Sequence, residues 1–354
     1  MMKNKNLISK VFTRRLFTKS RRVLLFLTVA TLAMGNFAGC GAKSAVTVED
    51  SEVAASGEKT ISVVTTIFPE YDWVKEVSKG ASNVDITMLL DNGVDLHSYQ
   101  PTAEDIMKIS TCDVFIYVGG ESDEWVEDAL KEATNKDMQV INLLEVLGDT
   151  IKEEEVVEGM QGEEEEEEES EEEEGPEYDE HVWLSLKNAT TLVDSIAGAM
   201  AKVDADNADL YKTNAAAYDQ QLSDLDSKYQ KIVDDAANKT VLFGDRFPFR
   251  YLVDDYQLKY YAAFVGCSAE TEASFETITF LANKVDELKL GTVLTLENSD
   301  QKIAKTIIEN TNSKDAKILT MDSMQSTTSQ DVAAGATYLS IMEKNSEVLA
   351  EALK

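Results

Sequence analysis

The chain has 354 residues, with 33 Lys+Arg against 66 Asp+Glu and a formal charge of −33. So acidic a body argues against a nucleic-acid backbone or an anionic lipid surface as its charge partner, since both need clustered Lys and Arg, and it suits the attraction of cations. Three Cys cannot build a disulfide framework, while 43% hydrophobic residues suffice for a core and the length fits two domains.

The N-terminus reads as an address. Residues 1–39 carry eight basic residues and no acidic one, and residues 23–34 (VLLFLTVATLAM) are continuously apolar or small. That run is short of the ~20 residues a membrane-spanning helix needs and fits the core of a secretory signal. Phe37-Ala38-Gly39-Cys40 is similar to the lipobox of bacterial lipoproteins, which implies cleavage before Cys40 and its acylation. An uncleaved signal anchor is the other reading of the segment. Residues 40–59 are small and polar and read as a flexible tether.

Beyond the tether, strand and helix patterns alternate, which predicts a parallel α/β organisation. Strands are predicted at 60–68, 84–90, 113–118 and 139–142, with helices at 71–79, 102–110 and 124–134. Thr102 with Asp105 three residues on has the spacing of a capping box. Residues 153–180 then hold 18 acidic residues and no basic one, a tract predicted to be a disordered, solvated loop inserted within the first lobe. A helix is predicted at 186–203, and 206–237 runs without Pro or Gly. In it Tyr211, Ala215, Tyr218, Leu222, Leu225, Tyr229 and Ile232 recur at alternating spacings of four and three, as one stripe of a long helix. Strands follow at 240–243, 260–264, 292–296 and 317–320, with helices at 275–288, 302–310 and 333–352. The division is thus a first α/β lobe at 60–203, a connecting helix at 204–238 and a second α/β lobe at 239–354.

Only two His occur, His97 in GVDLHSYQPT and His181 in YDEHVWLS, and both lie at strand or loop ends, where α/β proteins place sites. Two imidazoles with one or two carboxylates suit a first-row divalent metal such as zinc or manganese. No Ser or Cys motif accompanies either His and no GxxxxGK[ST] loop is present, so binding is expected rather than catalysis.

The segments GVDLHSYQPTAEDI, DEHVWLS, RFPFRYLVDDY and MDSM followed by YLSIMEKN, in this order with the long helix, resemble the solute-binding lipoproteins of bacterial zinc and manganese ABC importers. The resemblance covers roughly residues 59–354. It implies two Rossmann-like lobes with parallel sheets, joined by one rigid helix, with a metal in the cleft between them. It implies one ligand from each of four places. His97 matches the first and His181 the second, with Glu180 where Pro is usual; Asp322 matches the fourth.

The third place departs from the pattern. The family carries His or Glu about ten residues before a Asp-Tyr pair, and counting back from Asp255-Tyr256 reaches Arg246. Arg is always charged and is no metal ligand. A dication ~5 Å from a guanidinium is repelled by roughly 6–7 kcal/mol at an effective dielectric near 20, against a total of about 8 kcal/mol for a Kd of 1 μM. Three arrangements meet this difficulty. Arg246 swings away to an acid such as Asp245 or Glu272; the metal uses three protein ligands plus water or Asp245; or Arg246 grips an anion on the metal.

Other residues carry plainer readings. Cys112 is expected as a small buried hydrophobe, and Cys267 is open between a soft ligand and a free thiol. The run Glu163, Glu164, Glu165, Glu166, Glu167, Glu168 and Glu169 is either a local cation reservoir or a solubilising loop. The resemblance implies a monomeric lipoprotein on the outer face of the cytoplasmic membrane, anchored through Cys40. It would capture Zn2+, with Mn2+ as the alternative, and deliver it to an ABC permease. A surface adhesin is the competing class, and a metallohydrolase a weaker one.

Overall fold

Apolar runs of four to eight residues bounded by polar turns become two four-stranded sheets, parallel throughout. A computed structural model describes residues 59–162, 177–268 and 272–354. Cys40, the leader, the tether up to residue 58 and the Glu run 163–169 lie outside those residues. The first lobe comprises β1 (Ile61–Thr65), α1 (Phe68–Val77), β2 (Val84–Met88), α2 (Ala103–Thr111), β3 (Val114–Tyr117), α3 (Trp125–Lys131), β4 (Gln139–Asn142), α4 (Leu143–Leu147) and α5 (Leu186–Val203). After α6 (Ala208–Asp235), the second lobe comprises β5 (Thr240–Phe247), α7 (Arg250–Asp255), β6 (Lys259–Val265), α8 (Phe275–Leu288), β7 (Thr292–Leu296), α9 (Lys302–Glu309), β8 (Lys317–Met321), α10 (Ser329–Ala333) and α11 (Tyr338–Ala352). The sheet orders are β2-β1-β3-β4 and β6-β5-β7-β8, the same winding in each lobe. Such a sheet places ligands beyond the carboxyl ends of its strands, where the order reverses.

The long helix α6 has 28 residues, ~42 Å at 1.5 Å each. The predicted stripe is buried from Tyr211 to Tyr229, and Val233 rather than Ile232 completes it. It packs on α5 and α1 on one side of the molecule and on α11 on the other. Tyr229 Oη donates to Met342 O (2.6 Å), tying α6 to α11.

The terminal helix predicted over 333–352 begins later, at Tyr338, and a separate short helix, Ser329–Ala333, precedes it. Gly335 takes φ +104 between them, and Thr337 starts α11 afresh by accepting from Ser340 N. The second helix also crosses the lobe boundary: Tyr338 N donates to Asp72 Oδ2 of α1 (2.8 Å) and Tyr338 Oη to Trp183 O (2.6 Å).

The acidic tract was expected to be disordered throughout, inside one lobe. Its described flanks instead form a strap. Glu154 N donates to Glu177 O (3.0 Å) and Asp179 N to Lys152 O (2.9 Å), closing an antiparallel neck. Gln161 N then donates to Ala263 O (2.9 Å), so the segment reaches the edge of β6 in the second lobe. The apolar side chains Val157 and Met160 join the core and explain this order within an acidic stretch. Among the described residues no helix is long and apolar enough to cross a membrane.

Helix α1 begins at a buried acid. Glu70 Oε2 accepts from Thr66 N (2.8 Å), Thr66 Oγ1 (3.1 Å) and Ile67 N (3.3 Å), satisfying N–H groups that the helix itself cannot. Burial, with the Asp123 carboxylate nearby, pushes its pKa up to about 8. A carboxyl whose folded pKa exceeds its unfolded value stabilises most below the unfolded pKa, near 4.5, and that stability is lost as pH rises towards 8. Substituting Glu70→Gln is therefore expected to fold and to flatten the decline of stability between pH 5 and 8. The change, read by denaturant melts, should reach up to about 1.4 kcal/mol per pH unit, one proton's worth. An unchanged slope would contradict the assignment.

Candidate metal centre

Both histidines follow an Asp two residues earlier, Asp95-Leu96-His97 and Asp179-Glu180-His181. In each case the Asp carboxylate accepts the histidine's backbone N–H, at 3.1 Å for His97 and 2.9 Å for His181. The two turns lie far apart in sequence, and the fold brings their rings together: His97 Nε2 and His181 Nε2 are 3.2 Å apart. His181, which read from sequence as a loop residue, is fully buried, with Trp183 packed 5.3 Å from its ring.

The outer nitrogens are held as metal-ligating histidines usually are, by oxygen partners. Asp179 Oδ1 lies 3.1 Å from His181 Nδ1. Ser122 Oγ lies 2.8 Å from His97 Nδ1, and the buried Glu180 Oε2 lies 3.5 Å from the same nitrogen. Glu180 also accepts from Ser122 N (2.9 Å) and so fixes the serine. Gly120 (φ +81) makes room for it, because a Cβ there would sit 2.3 Å from Glu180 Oε1.

The second lobe closes the site. Gly266 backs onto His181, whose Cε1 would be 2.9 Å from any added Cβ. Cys267 follows it, and its Sγ and ligand nitrogens of His97 and His181 all lie within 4.8 Å of one another. Gln325, with its amide oriented by its partners, donates to both oxygens of Asp95 (2.9 and 2.7 Å) and accepts from His181 Nε2 (2.9 Å).

Of the residues expected here, His97 and His181 meet and Asp322 does not join them. Asp322 Oδ1 accepts from Met324 N (2.8 Å), and the carboxylate stands beside Glu297, whose own carboxylate takes Ser323 N and Oγ. Met324 turns at φ +64, and Gln325 is the residue of that segment that reaches the histidines. Asp245 is likewise engaged, accepting from Arg246 N (3.0 Å) and Leu296 N (3.2 Å). Arg246 does pair with an acid, but the acid is Asp95 (Nη2 to Oδ2, 2.7 Å) rather than Asp245 or Glu272. A register break in the β5–β6 ladder between Phe243 and Arg246 aims it there. Cys112 is buried and, like Cys267, unbridged. Sequence reading missed Asp95, Ser122, Asp179 and Gln325; the repeated Asp-x-His spacing was a signal for the two Asp.

These surroundings split the histidines' proton affinities. Burial lowers the His97 pKa to about 3, helped by His181 and Arg246 and only partly opposed by Asp95. Burial works against a charge on His181 too, but Asp179, Glu180 and Asp95 outweigh it and leave its pKa raised above 6.5. Protonation, and positive charge generally, is thus favoured at His181 over His97.

The family model described as "Zinc-uptake complex component A periplasmic" matches residues 63–352. The chain belongs to that family. It is 31% identical over 316 residues to the high-affinity zinc uptake system protein ZnuA of Bacillus subtilis, covering 89% of this chain and 93% of that one. It is 32% identical over 303 residues to the zinc-binding lipoprotein AdcA of Streptococcus pneumoniae, where it spans 84% of its own length but only 57% of the relative's. Among solved structures, the Zn(II)-bound ZnuA-like domain of pneumococcal AdcA superposes with a TM-score of 0.64 at 27% identity, covering 83% of this chain and 99% of that one. The laminin-binding protein Lmb of Streptococcus agalactiae, a bifunctional protein with adhesin and metal-transporting activity, gives 0.66 at 25% identity, covering 83% of this chain and 100% of that one. These neighbours share the two parallel-sheet lobes and the helical linker.

With only two imidazoles, the chain gives a simple test by nitrogen-detected NMR of the metal-free protein. His181 should titrate above 6.5 and His97 should stay neutral down to about pH 3. Asp179→Asn should lower the His181 value. Two rings titrating together near 6.5 would contradict the geometry.

Proposed function

We propose that the chain is the extracytoplasmic solute-binding component of an ABC importer, capturing Zn2+ between its lobes and delivering it to a permease. The observation that carries this reading is the pair of Nε2 atoms 3.2 Å apart. Two ligand nitrogens on a tetrahedral zinc, each at 2.0–2.1 Å, lie about 3.3 Å apart. Imidazole suits zinc, whereas manganese favours carboxylate and water oxygens, and Asp322 Oδ1 and both carboxylate oxygens of Asp245 accept from backbone N–H groups. In this reading those two Asp hold strand ends in place, and Arg246 is neutralised by Asp95 rather than facing the metal bare.

The relatives' names support zinc, and the AdcA lipoproteins support anchoring through Cys40 on the outer face of the membrane. The protein works as a binder, not an enzyme, and as a monomer. The adhesin reading has one favouring observation, the Lmb likeness, and a laminin-binding assay beside the metal titration separates it.

Zinc titration by calorimetry tests the site. His97→Ala and His181→Ala should each weaken binding at least 100-fold, about 2.7 kcal/mol. Asp322→Ala should cost less than tenfold. Arg246→His removes a positive charge and adds an imidazole, so zinc should bind roughly tenfold tighter. Metal binding must displace the His181 proton, so zinc affinity should fall as pH drops through the raised His181 pKa. Zinc affinity indifferent to both histidine substitutions would contradict the proposal.

A further inference from the structure

We propose that Cys267 is a third protein ligand of the captured metal, a thiolate that serves where Arg246 cannot, and that it makes the site select thiophilic divalent ions over manganese. This rests on the metal-binding reading above and goes further by naming the donor that sets its selectivity.

Two imidazoles alone leave a tetrahedral zinc half-ligated. The position from which a third ligand was expected is filled by Arg246, whose guanidinium is held by Asp95 Oδ2 (2.7 Å) and by Ser268 O (3.4 Å), the carbonyl directly after Cys267. Among the described residues, one group of three His, Cys, Asp or Glu side chains has ligand atoms close enough to share an ion, and it is His97, His181 and Cys267. Nitrogen–sulfur edges of a zinc tetrahedron are about 3.6 Å, from bonds of 2.0–2.1 and 2.3 Å. The separations of at most 4.8 Å therefore need to close by roughly an ångström at most. The turn carrying the thiol is fixed on both sides. Gly266 lies against His181, and Cys267 N donates to Glu154 Oε1 (3.3 Å) at the neck of the strap.

The step is a proton-for-metal exchange with no redox change. The Sγ–H bond breaks, its proton leaves to solvent, and the sulfur lone pair goes to the metal. The thiolate lowers the charge of the bound dication by one, and the carboxylates of Asp179 and Glu180 lie beside the histidines to balance the rest. Gln325 Oε1, 2.9 Å from His181 Nε2, is placed to approach the fourth position. A sulfur donor favours zinc, cobalt or cadmium over manganese.

The test uses the purified full chain with Co2+ as probe and Zn2+ and Mn2+ as competitors. The wild type should show a sulfur-to-cobalt charge-transfer band in the near ultraviolet. Cys267→Ser should lose the band and at least tenfold in zinc affinity while manganese affinity changes little; Cys40→Ala and Cys112→Ala should keep it. In the unsubstituted chain, Zn2+ should protect Cys267 from alkylation mapped by mass spectrometry, and Mg2+ should not. This arm needs no variant to fold. Zinc binding that depends on His97 but persists in Cys267→Ser, without band or protection, overturns the thiolate ligand and leaves the metal-binding reading standing. No zinc binding by the wild type overturns both.

Discussion

Two imidazoles, one buried and one part-buried, with their Nε2 atoms held 3.2 Å apart, are the constraint around which this molecule is arranged. Bare, such a pair is unfavourable, because each ring resists protonation of the other and burial resists both. The chain stabilises it from outside, with Asp179 and Ser122 on the far nitrogens and Glu180 behind the serine. The result is a pocket whose carboxylates favour positive charge at His181.

The rest of the fold keeps those rings where they are. His97 comes after β2, Ser122 after β3, Cys267 after β6 and Gln325 after β8, all beyond the carboxyl ends of parallel strands. Two sheets with the same winding must therefore present these ends to each other, and three connections hold them so. α6 runs along both lobes, α11 returns to α1 through Tyr338 and Asp72, and the strap crosses from the neck at Lys152 to Ala263. Trp183 Nε1 donating to Ser323 O (2.8 Å) adds a bond across the floor of the site itself. So many crossings favour small local shifts over wide lobe opening, and under the proposed function such shifts are the route for metal to enter and leave.

Much of this was legible in the sequence. The alternation of strands and helices gave the lobes, because strand pairing and helix capping are set by local pattern; the Thr102–Asp105 box forms as spaced, with Thr102 N and Oγ1 donating to Asp105 Oδ2. The two histidines stood out because they are the only ones. What stayed hidden depended on geometry that pattern does not carry. Asp322 and Gln325 are three residues apart, and the left-handed turn at Met324 decides which one faces the site. The partner of Arg246 sits in the other lobe, 151 positions away, while the nearer Asp245 is occupied by backbone N–H groups. The tract's ordered flanks were masked by its charge, since two apolar residues, Val157 and Met160, suffice to dock them.

The most direct measurement of the central claim is anomalous diffraction at the zinc edge from crystals of the zinc-loaded chain. A single strong peak bonded to both His97 Nε2 and His181 Nε2, at about 2.0–2.1 Å from each, is expected. A peak bonded to neither nitrogen, or none between the lobes, would contradict it.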